Sequence, residues 1–132
     1  MGMTPQTITI LILIGLLAGM LSGFVGIGGG VIIVPALIYG IGMTQFEAQG
    51  TSLFVLLLPV GILAFYNYQR AGHINWKFGI IMALAFVVGG YFGSRMALKI
   101  SPAVIRIVFG VLMSYISIRM IISGINTFSN DA

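Results

Sequence analysis

The chain has 132 residues, of which 59% are hydrophobic and 6% charged, and its formal net charge is +4. Soluble domains carry about 25% charged residues, so this composition excludes one and predicts a protein that crosses the cell's inner (plasma) membrane several times. The basic residues form no run that would bind nucleic acid. The chain has no cysteine, one histidine and two acidic residues, so we expect no enzyme, no cofactor and no metal site.

The first element is an uncharged segment, Ile8–Ile41, which is too long for a single straight span of about 20 residues. Glycines crowd the stretch Gly23–Gly30, and each costs about 1 kcal/mol in a helix interior. They divide the segment into Ile8–Phe24 and Val31–Ile41, which form either a broken helix that continues or a re-entrant pair. Pro35 suits the first turn of the second piece. Irregular backbone at membrane depth is tolerated only inside protein or beside a watery cavity, so the break predicts a binding site.

The next helix is predicted from about Phe46 to Tyr68, with interruptions at Gly50-Thr51-Ser52 and at Pro59. Thr44 precedes it, and Glu47 follows three residues later, which is the capping-box pattern. Capping is therefore the simplest interpretation of Glu47. As the only acidic residue next to a predicted span, Glu47 is also the leading proton carrier by elimination.

A third helix is predicted over about Trp76–Leu98. Its small residues, which suit close packing of helices, are Gly89, Gly90, Gly93 and Ser94. The last helix begins with Ser101 as N-cap and Pro102 at the first position, and it is predicted to end near Ser123. The polar tail Asn126–Ala132 is then expected to fray. The chain is thus predicted to be a single all-α, polytopic domain over residues 1–132, with one broken or re-entrant glycine-interrupted pair and three further transmembrane helices.

The basic residues divide evenly between the two sides of this predicted topology. The two sets are Arg70, Lys77 and Arg119 on one side, and Arg95, Lys99 and Arg106 on the other. Since the excess of Lys and Arg on cytoplasmic loops sets orientation, this even division gives almost no bias. Two explanations remain open: insertion in both orientations, or a topology fixed by a partner chain.

Four stretches resemble the TauE/SafE sulfite exporter family, in order and spacing, over about Ile8 to Ile122. They are Gly26–Leu37, Ala48–Ser52, Gly72–Trp76 and Gly89–Ser94. The resemblance implies a membrane transporter, by expectation an exporter, of small sulfur-containing oxyanions such as sulfite or organosulfonates. It also implies half of an inverted-repeat transporter, because family members usually carry two inverted repeats and this chain carries one. The expected partner is a second copy in an antiparallel homodimer, or a separately encoded half. The alternatives are a structural or regulatory half-subunit that completes another transporter, and an anion channel.

The glycines of the break are the first candidate substrate ligands. They are Gly26, Gly28, Gly29 and Gly30. Successive N–H groups at the start of a helix attract an anion, whereas the alternative reading is tight helix packing.

Side chains give a second set of candidates. Thr51 and Ser52 are expected to donate hydroxyl hydrogen bonds to a bound oxyanion, mostly on the strength of the resemblance. The alternative is a bond back to a carbonyl of their own helix. Weaker candidates are Gln49 and, at the end of the second helix, Asn67 and Arg70. An arginine at a helix end more usually anchors at the membrane interface.

Overall fold

The computed structural model of the chain describes residues 2–26 and 28–131, and within these residues it contains helices and no strand. The helices are α1 (Pro5–Val25), α2 (Gly30–Ile41), α3 (Gln45–Leu57), α4 (Ile62–Arg70), α5 (Trp76–Ala97) and α6 (Pro102–Asp131). By length and composition α1, α5 and α6 can each cross a membrane, and α3 with α4 forms a further candidate bent by 50°. The predicted all-α, polytopic fold is confirmed.

Contacts within the chain form two compact units, residues 1–88 and residues 89–132. The first unit contains α1 to α4 and the beginning of α5, and the second contains the rest of α5 and α6. The single domain over 1–132 therefore stays a prediction. The glycine break lies entirely within the first unit.

Helix α1 begins at a side-chain cap and ends at a left-handed glycine. The Thr4 hydroxyl oxygen accepts a hydrogen bond from the Thr7 N–H at 3.2 Å, and Pro5 occupies the first helical position, where its missing N–H costs nothing. At the other end Gly26 has φ 78° and donates its N–H to the Ser22 carbonyl at 2.7 Å. The 21 residues of α1 span roughly 31 Å, which matches the hydrocarbon thickness of a bilayer.

The chain reverses between α1 and α2, so that α2 folds back along α1. At the reversal, a Cβ built on Gly29 would lie 4.0 Å from the Ser22 Oγ. At the far end of α2, a Cβ on Gly40 would lie 3.7 Å from Ile10 and 3.6 Å from Ile14. The start of α2 therefore lies beside the end of α1, and the end of α2 lies beside the beginning of α1, so the two helices are antiparallel. Of the two arrangements that the sequence allows, the structure has the pair that turns back.

Helices α2 and α3 form a second antiparallel hairpin. Gly42, at φ 81°, closes α2 by donating its N–H to the Ile38 carbonyl at 3.1 Å. The Thr44 N–H then donates to the Glu47 Oε2 at 2.9 Å, and the Glu47 N–H donates to the Thr44 Oγ1 at 3.3 Å. This reciprocal pair is the predicted capping box, and it starts α3.

The core of this unit is small and comes from three helices. Its buried residues are Ala18 from α1, Ile33 and Leu37 from α2, and Gln45, Ala48 and Ser52 from α3. No residue described in α4, α5 or α6 is buried. Lipid tails are as apolar as leucine, so contact between membrane helices depends on small residues that allow close approach. Ala18, Ala48 and Ser52 provide this approach.

Of the two interruptions predicted for the second helix, the first is wrong and the second is confirmed. Helix α3 passes without a break through Gly50, Thr51 and Ser52, because Ser52 packs against α2 and nothing crowds Gly50. The interruption at Pro59 is confirmed: it lies between α3 and α4, where the helix axis bends by 50°. Proline has no N–H to donate to the preceding turn, which explains the position of the bend.

Two other sequence predictions are wrong. Pro35 lies at the sixth position of α2, inside the helix and beyond its first turn, because α2 starts directly after the left-handed glycines. Helix α6 continues past Ser123 to Asp131, where a frayed tail was expected. The Thr127 hydroxyl donates to the Ser123 carbonyl at 3.0 Å, so this hydroxyl finds its partner on its own helix. Residue 132 of the expected tail lies outside the described residues.

Candidate functional site

The candidate site begins at the glycine break between α1 and α2. Gly26, Gly28 and Gly29 have φ values of 78°, 74° and 72°. Only glycine adopts this left-handed region readily, so the three positions explain why glycines are placed here. Gly29 is buried and acts as the N-cap of α2, with its carbonyl accepting the Ile33 N–H at 2.9 Å.

The break leaves backbone donors at the start of α2. The Gly30 N–H donates to the Gly28 carbonyl at 2.8 Å. Within the described part of the chain, the N–H groups of Gly28, Gly29 and Val31 have no backbone acceptor. Unpaired N–H groups give the N-terminus of a helix a partial positive charge of about +0.5. This is the backbone arrangement that the anion-binding prediction requires, and the role of the glycines as substrate ligands stays a prediction.

A cavity of about 280 Å³ lies beside these donors, inside the first unit. Helix α1 lines it with small residues one turn apart: Gly15, Ala18, Gly19 and Ser22. The break and α2 line it with Gly28, Gly29 and Ile33. The end of α3, the bend and the start of α4 line it with Val55, Leu56, Val60, Gly61 and Ala64. None of these lining residues is charged, and Ser22 alone has a hydrogen-bonding side chain.

Ser52 contacts the first turn of α2. A Cβ on Gly30 would lie 3.3 Å from the Ser52 Oγ, and Ser52 is 3% exposed. Ser52 thus places a buried side chain with a hydroxyl group against the first turn of the helix that the glycine break starts. Bonds back to a carbonyl of the same helix, the alternative for such hydroxyls, occur at Thr9 and Ser114, at 2.9 Å and 2.8 Å.

The glycine break lies between the two ends of the bent α3–α4 pair. Ser52, which is level with Gly30, lies about 10 Å along α3 from Gln45. Beyond Ser52 the chain continues through the end of α3, the 50° bend and α4 to Arg70. The glycine backbone therefore lies beside the α3–α4 pair, between its two ends.

The other predicted site residues lie elsewhere. Gln49 and Thr51 are half-buried on α3 and do not line the cavity. Asn67 and Arg70 are exposed on α4 beyond the cavity, and the Arg70 Cζ lies 5.7 Å from the centroid of the Tyr66 ring. Such a cation–π contact suits an interfacial anchor. The structure thus brings Gly28 and Gly29 to one cavity, and joins Gly30 to Ser52.

Sequence reasoning missed the contribution of α1. Its small residues at positions 15, 18, 19 and 22 follow the spacing i, i+3, i+4 and i+7, which places them on one helix face. That spacing is the signal that could have identified Ser22 as a neighbour of the break. Gly61 at the bend was missed as well, because only Pro59 was read as the interruption.

Helices that can span a bilayer, together with irregular glycine backbone beside a cavity, define a multi-pass membrane protein with a candidate binding site. The profile of the family described as sulfite exporter TauE/SafE matches residues 2–120, and the chain belongs to this family. The family is one of membrane transporters and not an enzyme class.

Relatives of the chain are probable membrane transporter proteins. One from Xylella fastidiosa is 34% identical, with 82% of this chain and 42% of the relative aligned. One from Haemophilus influenzae is 32% identical over 88% of this chain and 46% of its own length. YunE from Bacillus subtilis is 27% identical over 96% of this chain and 53% of its own. The chain thus spans about half the length of these curated relatives. No solved structure matches it significantly.

Proposed function

We propose that the protein carries a small sulfur-containing oxyanion, sulfite or an organosulfonate, across the membrane by alternating access. The observation that carries this proposal is the buried N-cap Gly29, which lines a cavity and whose N–H group, like that of Gly28, has no backbone acceptor among the described residues. A helix N-terminus provides both hydrogen-bond donors and a favourable dipole for an anion. The Ser52 hydroxyl, one helix away, is a further donor to the same end of α2. The family's description as sulfite exporters supports the choice of substrate and the direction.

The flux experiment uses purified protein in liposomes and radiolabelled sulfite. We expect saturable uptake above that of protein-free vesicles, because a carrier with a defined site fills at high substrate concentration. Uptake that rises without saturation would instead indicate a channel. If no uptake exceeds that of empty vesicles, the transport proposal is wrong, and a half-subunit that binds no substrate becomes the better explanation.

We also propose that two inverted copies of this repeat build the complete transporter, as an antiparallel homodimer. Inverted-repeat transporters place substrate near the membrane midplane between their repeats and rock one half against the other. The observation that supports the proposal is the even division of the basic residues between the two sides of the predicted topology.

The homodimer predicts insertion in both orientations. A reporter fused after residue 132 should give comparable signals from the two sides of the native membrane. A control fusion to a membrane protein of fixed orientation should report from one side only. If one side dominates for this protein as well, the antiparallel homodimer is wrong, and the inverted half must come from another chain.

A further inference from the structure

The short connection between α5 and α6 concentrates positive charge. Helix α5 ends at Ala97 and α6 begins at Pro102, and half of the chain's six basic residues lie in this connection or beside it. They are Arg95, Lys99 and Arg106, and all three are exposed. No aspartate or glutamate occurs among residues 48–130, so no neighbour along the chain balances this charge. We call residues 95–106 the basic corner.

The basic corner lies at the membrane surface, because α5 and α6 are consecutive candidate spans joined by a short connection. Along the helix axes, Arg95 is about 3 Å from the end of α5 and Arg106 is about 6 Å from the start of α6. Each headgroup layer of a bilayer is about 5–8 Å thick. The basic side chains of the corner therefore reach the layer of lipid headgroups.

Arg95 is held by the aromatic residue one turn before it on α5. The Arg95 Nη1 donates to the Tyr91 hydroxyl at 3.3 Å, and the Arg95 Cζ lies 5.8 Å from the centroid of the Tyr91 ring. This hydrogen bond uses one of the five N–H groups of the guanidinium, so the others can donate to the oxygen atoms of a phosphate. Tyrosine is itself enriched at membrane interfaces, which agrees with the position of the corner.

Lys99 adds a second charge next to the first. It lies four residues after Arg95, and its N–H donates to the Met96 carbonyl at 3.1 Å, which continues the last turn of α5. Like charges four residues apart on a helix repel each other, and an anion between them removes the repulsion. Leu98 and Ile100, on either side of Lys99, are 67% and 39% exposed. A ligand that suits this surface combines an anionic group with an apolar chain.

We propose that the basic corner binds the headgroup of an anionic phospholipid, such as phosphatidylglycerol. The lipid phosphate accepts hydrogen bonds from Arg95 and Lys99, and Arg106 adds a third positive charge. Leu98 and Ile100 contact the upper part of an acyl chain. Basic residues next to membrane spans attract anionic lipids, and each adds to the attraction. Phosphatidylcholine also offers a phosphate, but its own ammonium group is repelled by the corner. The inference does not depend on the proposed transport.

The test measures lipid preference at the corner itself. The chain has no cysteine, so Met96→Cys, at a position that is 64% exposed, gives a single thiol for a bimane fluorophore. The labelled protein is placed in phosphatidylcholine vesicles that contain a small, constant fraction of nitroxide-labelled phosphatidylglycerol or nitroxide-labelled phosphatidylcholine. The nitroxide quenches bimane at short range, so the two degrees of quenching give a relative association constant. We expect phosphatidylglycerol to be favoured at least about fivefold, and less so at high salt.

Substitutions in the same labelled protein locate the headgroup. Arg95→Gln and Lys99→Gln should each lower the preference about three- to fivefold, the effect of one charge near the surface. Arg95→Lys keeps the charge and should keep most of the preference. Lys99 lies outside both helices, so its substitution keeps the test decisive if a variant in α5 does not fold.

The control is Arg119→Gln. It removes the same charge from an exposed position on α6, about 20 Å along the helix from Arg106, and should leave the preference unchanged. A fall equal to that with Arg95→Gln would indicate a response to the net charge of the protein, and the proposed site would be wrong.

The other outcomes are equally decisive. Equal quenching by the two lipids, or a preference that survives both glutamine variants in the corner, would overturn the proposal. Inorganic phosphate, added at constant ionic strength, separates a lipid headgroup from the free anion. The preference for phosphatidylglycerol should persist in its presence. If phosphate abolishes the preference, the corner binds the free anion and the lipid assignment is wrong.

Discussion

Replacing Gly29 by alanine is expected to lower sulfite flux at subsaturating concentration about 10- to 100-fold. Gly29 has φ 72° at the N-cap of α2, where a side chain is strained, so the chain must shift to relieve the strain. That shift turns the N–H groups of Gly28 and Gly29 away from the cavity. Loss of one hydrogen bond to a charged group costs about 1.5–3 kcal/mol, which corresponds to this fall in flux.

The control for this variant is Gly42→Ala. Gly42 has φ 81° and carries a similar backbone strain, but it closes α2 at the opposite end from the break. Both variants should lose roughly 1–3 kcal/mol of stability, measured by thermal unfolding in detergent. Only the Gly29 variant should lose flux. If Gly42→Ala reduces flux as much, the effect is one of stability, and the break is not the anion site.

The second large effect is expected from Ser52→Ala, which should lower transport with little change in stability. Ser52 is 3% exposed and no buried side-chain oxygen in the described residues lacks a partner, so removing its hydroxyl should change stability by no more than about 1 kcal/mol. If the hydroxyl donates to the bound anion, the same change should lower sulfite flux about tenfold. Stability is measured by thermal unfolding, and flux in liposomes.

The control for Ser52→Ala is Ser114→Ala on α6. The Ser114 hydroxyl donates to the Gly110 carbonyl of its own helix at 2.8 Å and lies exposed. Its removal should change neither flux nor stability by more than a few tenths of a kcal/mol. Equal flux in wild-type protein and Ser52→Ala would refute a role for Ser52 in binding, whatever the change in stability.

Local chemistry made much of the fold predictable. The glycine cluster, the Thr44 and Glu47 capping box and the Pro59 bend are each specified by a few adjacent residues, and each occurs in the structure. Where tertiary packing decides, prediction from the sequence was wrong. Gly50 favours a break by propensity, but Ala48 and Ser52 on the same helix are buried, and the helix continues.

The candidate site could be predicted only in part, for a similar reason. A run of glycines is visible in the sequence and favours left-handed backbone, because glycine adopts positive φ far more readily than other residues. The cavity beside it depends on which face of α1 meets the break and on where the α3–α4 bend falls. These are relations between distant residues, such as Ser22 and Gly61, and no local pattern encodes them.

The small core has a consequence for the order in which the helices fold during synthesis. All of its buried residues come from α1, α2 and α3, which follow one another along the chain and pair as neighbours. Contacts between neighbouring segments form quickly because little chain entropy is lost in closing them. Synthesis proceeds from the N-terminus, so this three-helix unit can assemble before α5 and α6 leave the ribosome. The glycine break would then be folded before the later spans are inserted.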